Sequence, residues 1–446
     1  MLLSCRILFI LDKMRFLVYS YRMDKTLYKS YLAILKEELL PAMGCTEPIS
    51  VAYAAALARK TLGAVPERVE ISVSGNILKN VKSVIVPNTG GLKGIAAAAA
   101  AGIIAGKADK KLQALEGITK SEQAEISEYL NSCEFKVNHS QSGCVFDIGV
   151  TVFSGKDNAF VRIEGYHTNV VEIEKNGEKQ ECIREEYVAD DLTDRTVLNV
   201  KDIIEFADTV DIKDVEQLVT RQIDYNSAIA NEGLTNDYGA RIGKILLSAF
   251  GDGVNIRAKA TAAAGSDARM NGCSLPVVIV SGSGNQGMTA SLPVVVYANH
   301  LGVSREKLLR AVTLSDLVTI HLKTGIGRLS AYCGAVSAGA GAGAGISYLF
   351  GGGYEDISKT ITNALAITSG LICDGAKSSC AAKIASAVDA GLTGMEMTRK
   401  GCCFRGGDGI LESGVESTID NVGDLARVGM KETDEEIIRL MIKNLD

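Results

Sequence analysis

Two cysteine motifs, Tyr332-Cys333-Gly334-Ala335 and Ile372-Cys373-Asp374-Gly375-Ala376-Lys377-Ser378-Ser379-Cys380-Ala381-Ala382-Lys383, flank an apolar Gly/Ala-rich run, Gly334 to Phe350, that ends in Gly351-Gly352-Gly353. A run of such small side chains predicts a helix that packs tightly against its neighbours. Three thiols on this scaffold, with no His or fourth Cys at regular spacing nearby, suit a metal centre with one open position. Iron–sulfur clusters take cysteine thiolates, and an iron that lacks its protein ligand can bind substrate instead. The same cysteines would also serve as small apolar packing residues, and composition does not separate the two readings.

Spacing sets a condition on the metal reading. Cys373 and Cys380 are seven residues apart, so one unbroken helix would hold their Cα atoms about 10 Å apart along its axis. Asp374-Gly375 breaks such a helix, and Lys377-Ser378-Ser379 reads as a loop into a new helix at Ala381. A looped Cys373 and a first-turn Cys380 then converge.

Working outward, residues 258–430 read as a helical domain rich in small residues. Within it, Ser281-Gly282-Ser283-Gly284-Asn285-Gln286-Gly287 follows an apolar run and matches the dinucleotide-binding pattern GxGxxG. A dinucleotide fold is rejected: no strand–helix–strand unit follows, and Arg305-Glu306-Lys307, about 20 residues on, continue a helix. The loop is better used as a rigid cradle. Its backbone N–H groups at Gly284, with Asn285 and Gln286, suit a small carboxylate. His300 and His321 read as satisfied core residues, although His321, Lys323 and Arg328, shortly before Cys333, could supply cationic charge to an anionic substrate. Adjacent Cys402-Cys403 cannot easily share one small cluster and read as a loop. The run from Gly334 to Gly345 is too short to span a bilayer.

Towards the N-terminus, Asp24 to Leu40 has helical periodicity, and a second helix is expected from about Ile49 to Leu62, with Thr46 as its N-cap and Pro48 in its first turn. Cys45, in Gly44-Cys45-Thr46-Glu47-Pro48, falls just before that helix, where the macrodipole favours a thiolate: a base, nucleophile or ligand. Strands are expected at 69–74, 84–87, 144–153, 159–165 and 169–173, with a turn at Asn176-Gly177. Asn88-Thr89-Gly90-Gly91 feeds the helix at Ala96–Ala101 and reads equally as an anion site, with Asn88 and Gly90 among its residues, or as a plain turn.

The expected class is therefore α+β: a mainly helical catalytic domain with an inserted α+β domain whose sheet is antiparallel or mixed. The divisions are N-terminal helices at 23–65, the insertion at 66–190, a helical connection at 191–257, the catalytic domain at 258–430 and a C-terminal helix at 431–446. Residues 1–22 resemble a signal segment only superficially, because Asp12, Lys13 and Arg15 interrupt the apolar run and no small-residue cleavage site follows. They are expected to be a mis-annotated start, with translation from Met23, or else a loose extension.

Composition excludes several classes. Net charge is −6, against a nucleic-acid binder that relies on a basic surface. Eleven cysteines, an odd number in 446 residues, are no secreted disulfide framework and fit reduced thiols in a cytoplasmic protein. Apolar residues make up 47% of the chain, enough for a large core.

Five motifs in order, Gly-Cys-Thr-Glu-Pro (44–48), Asn-Thr-Gly-Gly (88–91), Ser-Gly-Ser-Gly-Asn-Gln-Gly (281–287), Gly-Arg-Leu-Ser-Ala-Tyr-Cys-Gly (327–334) and Cys-Asp-Gly-Ala-Lys-Ser-Ser-Cys (373–380), resemble those of the L-cysteine desulfidase family. That family lies within the iron–sulfur serine-dehydratase-like group. The resemblance runs from Met23 to about Gly423. It implies a [4Fe–4S] cluster held by Cys333, Cys373 and Cys380 with one iron open. It implies Cys45 as base and β-elimination of L-cysteine to sulfide, pyruvate and ammonia. Thr46, Glu47, Asn88, Gly90, Gly284, Asn285, Gln286, Lys323 and Arg328 are then the expected substrate-binding residues. The expected partner is a small amino acid, with no nucleic acid and no membrane, and homo-oligomerisation is left open. Serine dehydratase by the same mechanism and a non-catalytic iron–sulfur sensor are the alternatives.

Overall fold

The computed structural model describes residues 23–180, 192–327 and 329–442. The segment 1–22 and its expected status therefore lie outside the described residues. Asp24 caps α1 (Lys25–Glu38) by accepting from Thr26 N and Leu27 N. Strand β1 (Pro41–Met43) leads into α2 (Thr46–Leu62), whose N-cap is Cys45, one residue earlier than the expected Thr46.

Strand β2 (Arg68–Val73) alternates buried and half-buried side chains, as its alternation of valine and isoleucine with polar residues requires. It is followed by α3 (Gly75–Val81), α4 (Ile95–Ala105) and α5 (Lys120–Ser132). Residues 84–87, expected as a strand, instead fold back on their own loop: Ile85 bridges Lys93, and Val86 N donates to Leu92 O. Strands β3 (Glu134–His139), β4 (Asp147–Ser154), β5 (Asp157–Glu164), β6 (Val170–Lys175) and β7 (Glu178–Lys179) complete a six-stranded sheet of order β3-β2-β4-β5-β6-β7. Only the β2–β3 pair is parallel, so the sheet is mixed. Asn176 and Gly177, with φ of 53° and 81°, make the left-handed two-residue turn between β6 and β7. Helix α2 covers the sheet over β4 and β5 and packs on α4.

The rest is helical: α6 (Val200–Thr209), α7 (Ile212–Thr235), α8 (Ile242–Phe250) and α9 (Val254–Met270). A short β8 (Pro276–Val278) then precedes α10 (Gly284–Leu301), α11 (Arg305–Ile326), α12 (Gly334–Leu349), α13 (Tyr354–Thr368), α14 (Cys380–Arg399), α15 (Val415–Asp424) and α16 (Lys431–Ile442). The fold is thus mostly helical with a mixed sheet, the expected class. Helix α12 is buried along nearly its whole length among α10, α11, α13 and α14. A Cβ at Gly339 would stand 2.3 Å from Ala387 O, and one at Gly391 would stand 2.1 Å from Gly339 O. Only hydrogen fits at that α12–α14 seam. No helix among the described residues is long and apolar enough to cross a membrane.

Two connections position the site. Strands β1 and β8 pair antiparallel, Pro41 opposite Val278 and Met43 opposite Pro276, which sets the Cys45 elbow beside the loop entering α10. Helix α16 packs on α3 and closes one side of the same region.

Candidate active site

Cys333 is the N-cap of α12, and Cys380 is the first residue of α14. Cys373 lies between them on a segment tied to the residues before α12. Cys333 N donates to Leu371 O at 3.0 Å, Cys373 N donates to Ala331 O at 2.6 Å, and Tyr332 bridges Ile372. The break after Cys373 is built from Asp374 and Gly375. Burial opposes ionisation of Asp374, but the ammonium groups of Lys377 and Lys383 hold its carboxyl down at about 2. Gly375 has φ +93°, and a Cβ there would meet Lys79 O at 2.1 Å.

The three thiols feel one another. Burial, and then the charge of Cys373 and more weakly Cys380, pushes the Cys333 thiol up to about 12. Burial raises Cys380 too. Such a group is costly to ionise unless a cation joins it, and a bound metal deprotonates thiols outright. Among the described residues, no three His, Cys, Asp or Glu side chains converge closely enough for a single ion. All three cysteines line one cavity, and thiolates are the donors that iron–sulfur clusters take.

Cys45 lines the same cavity beside Cys380. Its turn depends on Gly44, at φ +53°, where a Cβ would collide with the Pro87 ring. Cys45 packs with Val84 and Met270 against Ala376 and Cys380. Its Sγ donates to Glu47 Oε2 at 3.0 Å. Burial first, and the Glu47 charge second, push the thiol well above its ordinary value, with Arg269 opposing. The helix N-terminus favours a thiolate at Cys45, and burial beside a carboxylate opposes it. The sulfur and the Glu47 carboxylate thus form one hydrogen-bonded pair.

The shared cavity has a volume of about 880 Å³, and Cys45, Glu47, Asn285, Gln286, Lys323, Cys333, Cys373 and Cys380 all line it. Thr46 is buried behind Glu47, its Oγ1 3.1 Å from both Glu47 Oε2 and Gly282 O. Gly284 is the first residue of α10, and Lys323 Nζ donates to Gly327 O at 2.5 Å. Arg328 lies outside the described residues. Asn88 and Gly90 are not brought here. They line a separate cavity of about 340 Å³ with Tyr238, Asn271 and Cys273. Asn88 Nδ2 is spent on Leu115 O, which keeps that loop on its own side of the molecule. His321 pairs with Glu416, whereas His300, expected in the core, is exposed in the last turn of α10; Cys402 and Cys403 lie beyond α14, off the cavity wall.

Residues missed in the sequence include Arg269, which is 3% exposed on the cavity wall at the end of α9, and Asp434 of α16, which also lines the cavity. Arg269 carried a readable signal: a lone cation in the run Ala262-Ala263-Ala264-Gly265-Ser266-Asp267-Ala268 is out of place in a close-packed helix. Asp434 carried none, since half the positions of its helix are charged.

Fold and site together define a protein whose thiol-lined cavity lies between a helical bundle and a mixed sheet. Residues 109–439 match the serine dehydratase alpha chain family, and the chain belongs to that family. It is also 58% identical to a UPF0597 protein of Desulfitobacterium hafniense over 416 residues, covering 93% of this chain and 97% of that one. A UPF0597 protein of Lachnoclostridium phytofermentans is 51% identical over 422 residues, and one of Treponema denticola 47% over 429. Those matches cover 93% and 95% of this chain and 100% of each relative.

Proposed function

We propose that this chain is an L-cysteine desulfidase, which eliminates sulfide from the β-carbon of L-cysteine. The observation that carries the reading is the packing of Cys45, with its acceptor Glu47, against Cys380 in the cavity that Cys333 and Cys373 also line. Membership of the serine dehydratase alpha chain family supports a lyase acting on a small β-substituted amino acid. Cys333, Cys373 and Cys380 are the residues that would hold a [4Fe–4S] cluster. When bound, such a cluster supplies a Lewis-acidic iron without a protein ligand, which lowers the cost of negative charge on the departing sulfur.

The chain's own groups handle the proton. Glu47 takes the thiol proton of Cys45, and the thiolate so formed takes the α-proton of the substrate. The electrons of the broken Cα–H bond form the Cα=Cβ bond as the Cβ–S bond breaks, and sulfur leaves with its electron pair. The 2-aminoacrylate released tautomerises and adds water to give pyruvate and ammonia. Burial of the pair keeps bulk water from returning the proton.

Serine would undergo the same elimination with hydroxide leaving, and the family match favours it as the second reading. Anaerobic assay of sulfide from L-cysteine against pyruvate from L-serine, after iron–sulfur reconstitution, separates the two. Sulfide release at a much higher kcat/KM is expected, and pyruvate from serine alone would overturn the cysteine assignment.

A further inference from the structure

Arg269 is buried, and its guanidinium has no ion-pair partner among the described residues. Its Nη1 donates to the neutral Asn285 Oδ1 at 3.1 Å, and its Nε has no partner. Among the described residues no carboxylate lies within ion-pair distance of it. A charge so withdrawn from water is unstable unless an opposite charge joins it.

The guanidinium also lies against the start of α10. A Cβ at Gly284 would stand 2.5 Å from Arg269 Nε, so glycine alone lets the two touch. The helix N-cap, Ser283, makes no side-chain cap bond, and the first turn presents Ser283, Asn285 and Gln286 to the cavity. A guanidinium beside the positive end of a helix repels it, and an anion between them satisfies both. One residue further on, Gln286 Oε1 is buried without a donor, and its amide lies within 2.9 Å of where a Cβ of Gly334 would stand, next to Cys333.

We propose that Arg269 and the first turn of α10 hold the α-carboxylate of an amino acid while Gln286 Oε1 accepts from its α-ammonium. This rests on the amino-acid substrate of the proposed function and adds how that substrate is oriented. The side chain then points toward the three cysteines, and the carboxylate anchor is Arg269, not Lys323, which is engaged by Gly327 O.

The test is calorimetric titration of the anaerobically purified protein with L-alanine, which has no leaving group, and with L-alaninamide, which lacks the carboxylate charge. The unaltered protein should bind L-alanine roughly 100-fold more tightly, the discrimination expected when a buried charged donor loses its partner. In Arg269→Gln the two affinities should fall within about threefold of one another, at unchanged iron content. Arg269→Lys, which keeps the charge and loses the planar fork, should weaken L-alanine roughly tenfold, and it decides the matter if Arg269→Gln fails to fold. Equal binding of both ligands by the unaltered protein, no binding of L-alanine, or an undiminished preference in the variants would overturn the site. A protein that binds L-alanine as described but releases neither sulfide nor pyruvate keeps this site and loses the proposed reaction.

Discussion

Lys79, 1% exposed in α3, ion-pairs with Asp434 of α16, and its backbone oxygen supports Gly375 in the loop between Cys373 and Cys380. One residue thus joins the C-terminal helix to the loop that sets two of the thiols. Removing Asp434 strands a buried ammonium, whereas removing Lys79 leaves a carboxylate that still reaches water. Asp434→Ala should cost about 3–5 kcal/mol and Lys79→Met clearly less. Chemical denaturation of the two variants measures the difference, and equal losses would show that the pair is not buried as described.

Cys45→Ala should lower kcat for sulfide release by 10²-fold or more, the usual worth of a positioned base. Glu47→Gln, which keeps the shape but cannot take the thiol proton, should lower it comparably. Iron content should not change in either. Full turnover with Ala at 45 would remove that residue from the reaction.

Cys373→Ala should abolish the visible absorbance and iron content after anaerobic reconstitution, and Cys402→Ala should leave both intact. Gly375→Ala should act like a milder Cys373 variant, because its Cβ would press on Lys79 O at 2.1 Å and its φ of +93° is strained for any other residue. Elemental analysis of the three variants side by side reads the order. Normal iron in Cys373→Ala would dismiss that ligand.

Asp316 in α11 is fully buried and accepts from Gln222 Nε2 at 2.9 Å, while its Oδ2 and the Gln222 Oε1 have no partner. Burial raises its carboxyl to about 8, with Gln222 opposing. A proton on Oδ2 would give Gln222 Oε1 a donor. Since the folded value is above the unfolded one, this group's stabilisation is complete below about pH 4 and is lost as pH rises through 8. Asp316→Asn, which carries that donor permanently, should flatten the stability profile over this window and be the more stable protein at pH 8 by several kcal/mol, at about 1.4 kcal/mol per unit. Parallel profiles for the two proteins would show that Asp316 stays ionised.

The sequence was legible where a local rule decides the outcome. The Asp374-Gly375 break, the start of α14 close to the expected Ala381, the Asn176-Gly177 turn and the alternation of β2 and β5 all follow from turn chemistry or side-chain period. Strand β3 was missed because its alternation rests on only two apolar residues, Phe135 and Val137, and none of its side chains is buried. Val84–Pro87 misled for the opposite reason: its valines are buried by a loop that closes on itself. The separation of Asn88 and Gly90 from the cysteine cavity, and the arrival of Arg269 beside Cys45, depend on long-range packing that no local pattern encodes. The upward push on the Cys45 thiol comes first from burial and next from Glu47, which turns back toward the sulfur, and helix position alone reveals neither.

Cys333 and Cys380 stand at the leading ends of α12 and α14, the same two helices that touch backbone to backbone along Gly339, Gly343 and Gly391. The gap between these sulfurs is therefore governed from inside the bundle, by hydrogens several turns away. A single methyl group added to that seam would wedge the helices apart like a shim under a hinge and widen the jaw at the far end, with no change to any residue that faces the cavity.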